Sequence, residues 1–91
     1  MEEKITVILV NYNGRNYNDR CITSIFNSSI KERLEVVVVD NASTDNSLEE
    51  LKARWGDNAR VHILPLNQNY GFSKGNNEGI RWAAARGSKY F

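Results

Sequence analysis

Residues 34–47 read LEVVVVDNASTDNS: four valines in a row, an acid where the apolar run stops, and a polar loop leading into a helical pattern. A strand buried on both faces requires such an unbroken β-branched run, because neither face can present a polar side chain to water. Strands of this kind belong to parallel sheets covered by helices on both sides. Ligands of an open parallel sheet bind outside the carboxyl ends of its strands, and Asp40 stands at that end. Two readings of Asp40 follow. It ties down the turn, as Asp and Asn commonly do, or it faces a crevice and accepts hydrogen bonds from a ligand.

The segments on either side repeat the pattern. Upstream, Lys4 to Asn11 (KITVILVN) is a nearly continuous Ile/Val run that predicts a first central strand, broken by Tyr12, Asn13 and Gly14. Asn11 and Tyr12 therefore end this strand as Asp40 ends the next, which favours the crevice reading. Between the two strands, Cys21, Ile22, Ile25 and Phe26 recur at helical spacing, predicting a helix from about Tyr17 to Ser28 that crosses back over the sheet. Strand, helix and strand fill roughly thirty residues, the length of one right-handed βαβ unit.

Downstream, Ser43 or Asp45 is expected to cap a helix with apolar positions Leu48, Leu51 and Trp55. Its acids lie early and its bases late, as the helix dipole prefers, and Gly56 closes it. Arg60 to Leu66 (RVHILPL) predicts a third strand, with Pro65 suiting a strand exit or an edge. Asn67 to Gly79 (NQNYGFSKGNNEG) reads either as a stretch in which glycine lets backbone approach a ligand, the reading favoured by its place after the third strand, or as a plain loop and helix start. A last helix carrying Ile80, Trp82, Ala83 and Ala84 ends at Gly87, and Ser88 to Phe91 predicts the opening of a fourth strand. A sequence stopping there predicts a chain cut at its fourth strand.

The totals exclude several classes of function. With 91 residues the chain holds one domain at most, and 41% hydrophobic with 25% charged residues is ordinary for a globular chain. An apolar run such as Val7 to Val10 is far too short to cross a bilayer. A net charge of +1 without a basic block calls for no nucleic acid, and Arg81, Arg86 and Lys89 read as a solvated helix face. Cys21 has no second cysteine to pair with, which fits a reducing cytoplasm, and it reads as core packing because no histidine lies near to activate it. His62 has no metal partners in the sequence and receives no role.

Three motifs in order, VILVNYNG, VVVVDNASTDNS and NQNYGFSKGNNEGI, resemble the amino-terminal, nucleotide-binding part of family 2 glycosyltransferases. The resemblance covers nearly the whole chain. It implies the GT-A fold: an α/β, three-layer, Rossmann-like unit with a mainly parallel sheet in the order 3-2-1-(4), here residues 1–91 and truncated at the fourth strand. It also implies a nucleotide-diphosphate sugar across the carboxyl ends of the strands, with nucleotide-sugar contacts at Asn11, Tyr12, Asn13, Asp40, Asn41, Ser43, Gly71, Asn76 and Asn77. The base would stack near Tyr12, and the imide of uracil or thymine would be held by Asp40. The chemistry suits that transfer, since an aromatic face accepts a planar base and a carboxylate binds an imide N–H more strongly than a neutral acceptor does.

The sequence departs from the family pattern in two places. Asn76 stands where many members have an arginine, a form similar to that of rhamnosyl transferases with a thymidine-diphosphate donor. The D-x-D motif that holds the divalent cation is missing, because Asp19, Asp40, Asp45 and Asp57 are not paired at that spacing. The resemblance therefore implies Mg or Mn in the full-length enzyme and no metal ligand or catalytic base here. The expected partners are a UDP- or dTDP-sugar and an acceptor hydroxyl on a lipid-linked saccharide or polysaccharide, in the cytoplasm or at the inner membrane face. Without a fourth strand, the first would expose an edge around Thr6 to Val10 and self-associate. The competing expectations are a non-catalytic nucleotide-binding module complete at this length and a sugar nucleotidyltransferase. The latter needs a richer basic glycine loop than Gly14 and Arg15 provide.

Overall fold

The computed structural model describes residues 4–29 and 31–87. In chain order they form β1 (Ile5–Asn11), α1 (Arg15–Phe26), a 3-10 turn (Lys31–Arg33), β2 (Leu34–Asp40), α2 (Ser47–Trp55), β3 (Val61–Pro65) and α3 (Phe72–Ala85). The strands make one all-parallel sheet with β2 in the middle, so the spatial order is 3-2-1. The fourth strand expected over Ser88 to Phe91, with Lys89, lies outside the described residues.

Every residue of β2 is buried, as the valine run requires. Val36 and Val38 face one side, where they join Ile22 of α1, Leu51 of α2 and Val61, with Val7, Leu9, Phe26 and Trp55 packed around them. Each fully buried valine contributes roughly 1.5 kcal/mol of transfer free energy, so this strand is the main apolar anchor of the fold. Asp19 ties α1 to α2 by accepting from Arg54 Nε at 2.8 Å and Trp55 Nε1 at 3.1 Å. Cys21 is half-buried beside Tyr17, whose phenol pKa is raised chiefly by its hydrogen bond with the thiol.

Among the described residues the other face is covered by α3, and here the structure moves the helix start into the expected loop. Helix α3 begins at Phe72, so Gly75 and Gly79 lie inside it and are buried. They bring the helix backbone close to the sheet. A Cβ on Gly79 would stand 2.7 Å from Ile8 Cγ2 and 2.9 Å from Val39 Cγ2, and one on Gly75 would stand 3.0 Å from Val10 Cγ1 and Asn41 Nδ2. Farther along this face His62 Nε2 lies 3.2 Å from Glu35 Oε2, and the imidazole packs on Trp82. Arg81 and Arg86 are exposed on α3, where Arg81 pairs with Glu78 and Arg86 lies over the Trp82 ring.

Two helix starts also differ from expectation. Helix α1 opens two residues early, at Arg15, because the Asn11 side-chain carbonyl accepts the Gly14 N–H at 2.9 Å and turns the chain at once. At α2, Asn46 holds the cap position without a side-chain bond, and Asp45 Oδ1 accepts the Ser47 N–H at 2.9 Å. Ser43 is engaged elsewhere, with Asp40.

Candidate functional site

The β1–β2 register sets Asn11 opposite Asp40, and the ladder continues as Asn41 N–H donates to Asn11 C=O at 2.8 Å. On the other side Leu66 N–H donates to Asp40 C=O at 2.8 Å. The three strands thus end level, and Tyr12, Asp40 and the segment leading to Gly71 leave the sheet at one carboxyl edge.

Asp40 is only 1% exposed, and most of its acceptor capacity is engaged. Its Oδ1 accepts from Asn11 Nδ2 and Ser43 Oγ, each at 2.6 Å, while Oδ2 accepts the Ser43 N–H at 3.1 Å. The turn-tying role read from the sequence is therefore present in full. A carboxylate offers about four acceptor positions, so Oδ2 keeps one for a further donor.

Asn11, also 1% exposed, is the hub beneath Asp40. Its Nδ2 donates to Asp40, to Ser43 Oγ at 3.1 Å and to Ser47 Oγ at 3.1 Å, and its Oδ1 accepts from Gly14 N–H and from Asn18 Nδ2 at 2.7 Å. One side chain thereby joins β1, β2, α1 and α2. Among the described residues no buried side-chain polar atom lacks a partner, which a polar cluster in so small a core requires.

Asn13 stitches the two strand-exit loops together. Its Oδ1 accepts the N–H groups of Thr44 (2.8 Å) and Asp45 (3.2 Å), and its own N–H donates to Ser43 Oγ at 3.0 Å. Asn13 and Ala42 are the described non-glycine residues with positive φ, 56° and 59°, and they flank Asp40 from the two loops. Asn tolerates that region, whereas Ala is strained in it. Asn41 holds the third segment, donating to Gly71 C=O at 3.0 Å, and Gly71 itself has φ 87°.

Of the remaining expected site residues, Tyr12 is 48% exposed just past the end of β1. Asn76 and Asn77 lie on α3. Asn76 bonds back to Phe72 C=O at 3.2 Å, and Asn77 is exposed. The structure thus brings Asn11, Asn13, Asp40 and Ser43 into one hydrogen-bonded cluster, with Asn41 and Gly71 beside it, and leaves Asn76 and Asn77 a turn away on the helix. Sequence reasoning missed Asn18 and Ser47. Asn18 was findable, because it lies four residues before Ile22 and so on the buried stripe of α1.

A hollow of about 440 Å³ opens between α1 and α2, lined by Asn18, Asp19, Leu51, Arg54 and Trp55 among others. Among the described residues no three His, Cys, Asp or Glu side chains converge to hold a metal, so these residues do not fit the divalent cation that the family implies.

The model of the family described as glycosyl transferase family 2 matches residues 6–90. The chain is 33% identical over 79 residues to a chondroitin synthase of Pasteurella multocida, a match that covers 87% of this chain and 8% of that protein. Among solved structures it is similar to a mannosyltransferase of Pyrobaculum calidifontis in complex with GDP-Man and Mn2+, at 26% identity and a TM-score of 0.78 over 90% of this chain and 25% of the other. It is also similar to S. aureus TarS in complex with UDP-GlcNAc, at 28% identity and a TM-score of 0.74 over 87% of this chain and 23% of the other. The chain thus spans less than a tenth of that curated relative and about a quarter of each of these structures. With the family pattern running almost end to end and the parallel sheet of the GT-A glycosyltransferases beneath it, the chain belongs to glycosyl transferase family 2.

Proposed function

We infer that residues 1–91 form the amino-terminal, donor-nucleotide part of a GT-A glycosyltransferase that moves a sugar from UDP or dTDP to an acceptor hydroxyl. The observation that carries this reading is the level exit of the strands, which sets Asp40 at the end of the central strand and the exposed Tyr12 just past the end of its neighbour. The N3–H of uracil or thymine donates to Oδ2, and the Tyr12 ring stacks on the base. Asn11 and Ser43 hold the carboxylate in place, and Asn41 ties the Gly71 segment to the end of β2. Asn13, Asn76 and Asn77 remain in the proposed contact set, Asn13 as the clasp between the loops. Binding UDP-GlcNAc is a property of TarS and supports the uridine reading; binding GDP-Man is a property of the mannosyltransferase and makes GDP the competitor to test.

The acceptor class rests on the chondroitin synthase likeness and is a cell-envelope polysaccharide or its lipid-linked precursor. No helix among the described residues is long and apolar enough to cross a membrane, and a cytoplasmic site at the inner membrane face is part of the proposal. A Mg or Mn ion belongs to the whole enzyme, on residues other than these. Amide chemical-shift mapping with UDP, dTDP and GDP tests the base. Shifts at Tyr12, Asn41 and Gly71 with the first two at lower concentration than with GDP are expected. A stronger response to GDP contradicts the imide reading, and shifts confined to the α1–α2 hollow contradict the site.

A further inference from the structure

Asn18 stands on the buried stripe of α1 at 5% exposure, one turn before Ile22 and where the apolar core meets the polar cluster of Asn11, Asp40 and Ser47. A buried amide in an apolar layer is costly unless it is bonded, and an apolar residue of similar size would pack there at no such cost. Its Nδ2 donates to Asn11 Oδ1 at 2.7 Å, shorter than the backbone donation from Gly14 to the same oxygen at 2.9 Å. With its oxygen held from two sides, the Asn11 amide turns its NH2 toward Asp40 Oδ1 at 2.6 Å. That contact and the Ser43 hydroxyl both fall on Oδ1, whereas Oδ2 accepts the Ser43 N–H, so the two oxygens are not equivalent.

We propose that Asn18 is a positioning residue for the nucleotide site: through the amide of Asn11 it fixes which oxygen of Asp40 is offered to the base. The relay runs from α1 through β1 to β2, and it gives the neighbouring helix control over a carboxylate it does not touch. It rests on the donor reading above for its consequence in binding, while the orientation of Asn11 can be measured without any nucleotide.

The test uses Asn18→Leu and Asn18→Asp in the 91-residue chain, with three readouts: thermal unfolding, UDP affinity by calorimetry, and the side-chain amide signals of Asn11 by NMR. Asn18→Leu removes one donor and leaves the Gly14 donation. UDP affinity is expected to fall about twofold to tenfold, with the Asn11 signals displaced and the unfolding midpoint held or raised. Asn18→Asp sets an acceptor against Asn11 Oδ1 and is expected to cost more than tenfold, roughly, in affinity where it folds. A purely structural Asn18 would lower stability and leave the affinity of the folded fraction unchanged. Unchanged Asn11 signals and UDP affinity in Asn18→Leu overturn the relay, whether or not Asn18→Asp folds. Absence of UDP and dTDP binding to the unsubstituted chain counts against the donor reading alone, and the Asn11 signals then decide the relay.

Discussion

At Asp40 a single side chain does two jobs that the sequence presents as alternatives. Its contacts with Asn11 and Ser43 tie the turn, and the proposed site asks its Oδ2, which accepts the Ser43 N–H, to take a further donor from the base. The cluster around it comes from residues far apart in the chain, Asn11, Asn18, Ser43 and Ser47, and only the strand register makes them neighbours. This is why Asp40 and Asn11 are legible at the strand exits while the bonds of Asn18 and Ser47 to Asn11 are not: periodicity marks which face a residue takes, while a hydrogen-bond partner depends on tertiary placement. Ala42 provides a test at this scale. At φ 59° an alanine is strained by about 1 kcal/mol, so Ala42→Gly should leave the protein as stable or up to about 1 kcal/mol more stable in urea unfolding. At an ordinary position the same change costs about 0.5 to 1 kcal/mol through chain entropy, and a loss of that size would mean the loop is unstrained.

Among the elements, the strands were the most legible, because the valine run of β2 and the Ile/Val run of β1 can be buried on two faces in only one kind of sheet. Pro65 marked the exit of β3 for the reason given by its missing N–H. Helix α3 was misjudged at its start, since glycine in a helix is intrinsically poor by about 1 kcal/mol and Gly75 and Gly79 read as loop. What overrides that propensity is contact: the glycines let α3 settle on Ile8, Val10 and Val39. Gly79→Ala therefore has a sign that separates the two explanations. Propensity alone predicts about 1 kcal/mol of stabilisation, whereas the 2.7 Å approach to Ile8 predicts about 1 to 3 kcal/mol of destabilisation by overpacking, measured by thermal or urea unfolding.

For the whole molecule, among the described residues β1 pairs only with β2, and its side chains alternate between the α1 face (Val7, Leu9) and the α3 face (Ile8, Val10). Such an edge is a template for another strand, whereas the edge strand β3 is short and carries Pro65. The 91-residue chain studied alone is expected to self-associate through Thr6 to Val10, and multi-angle light scattering showing a monomer at high concentration would contradict this. The central claim concerns the base bound at the carboxyl edge, and calorimetric titration of UDP and dTDP into the chain and its Asp40→Asn variant tests it most directly. Replacing the carboxylate by an amide exchanges a charge-assisted hydrogen bond for a neutral one, so affinity for both nucleotides should fall by about 1 to 3 kcal/mol while the fold, followed by circular dichroism, persists. Equal affinity in the two proteins would reduce Asp40 to a residue that ties its turn and contradict the account.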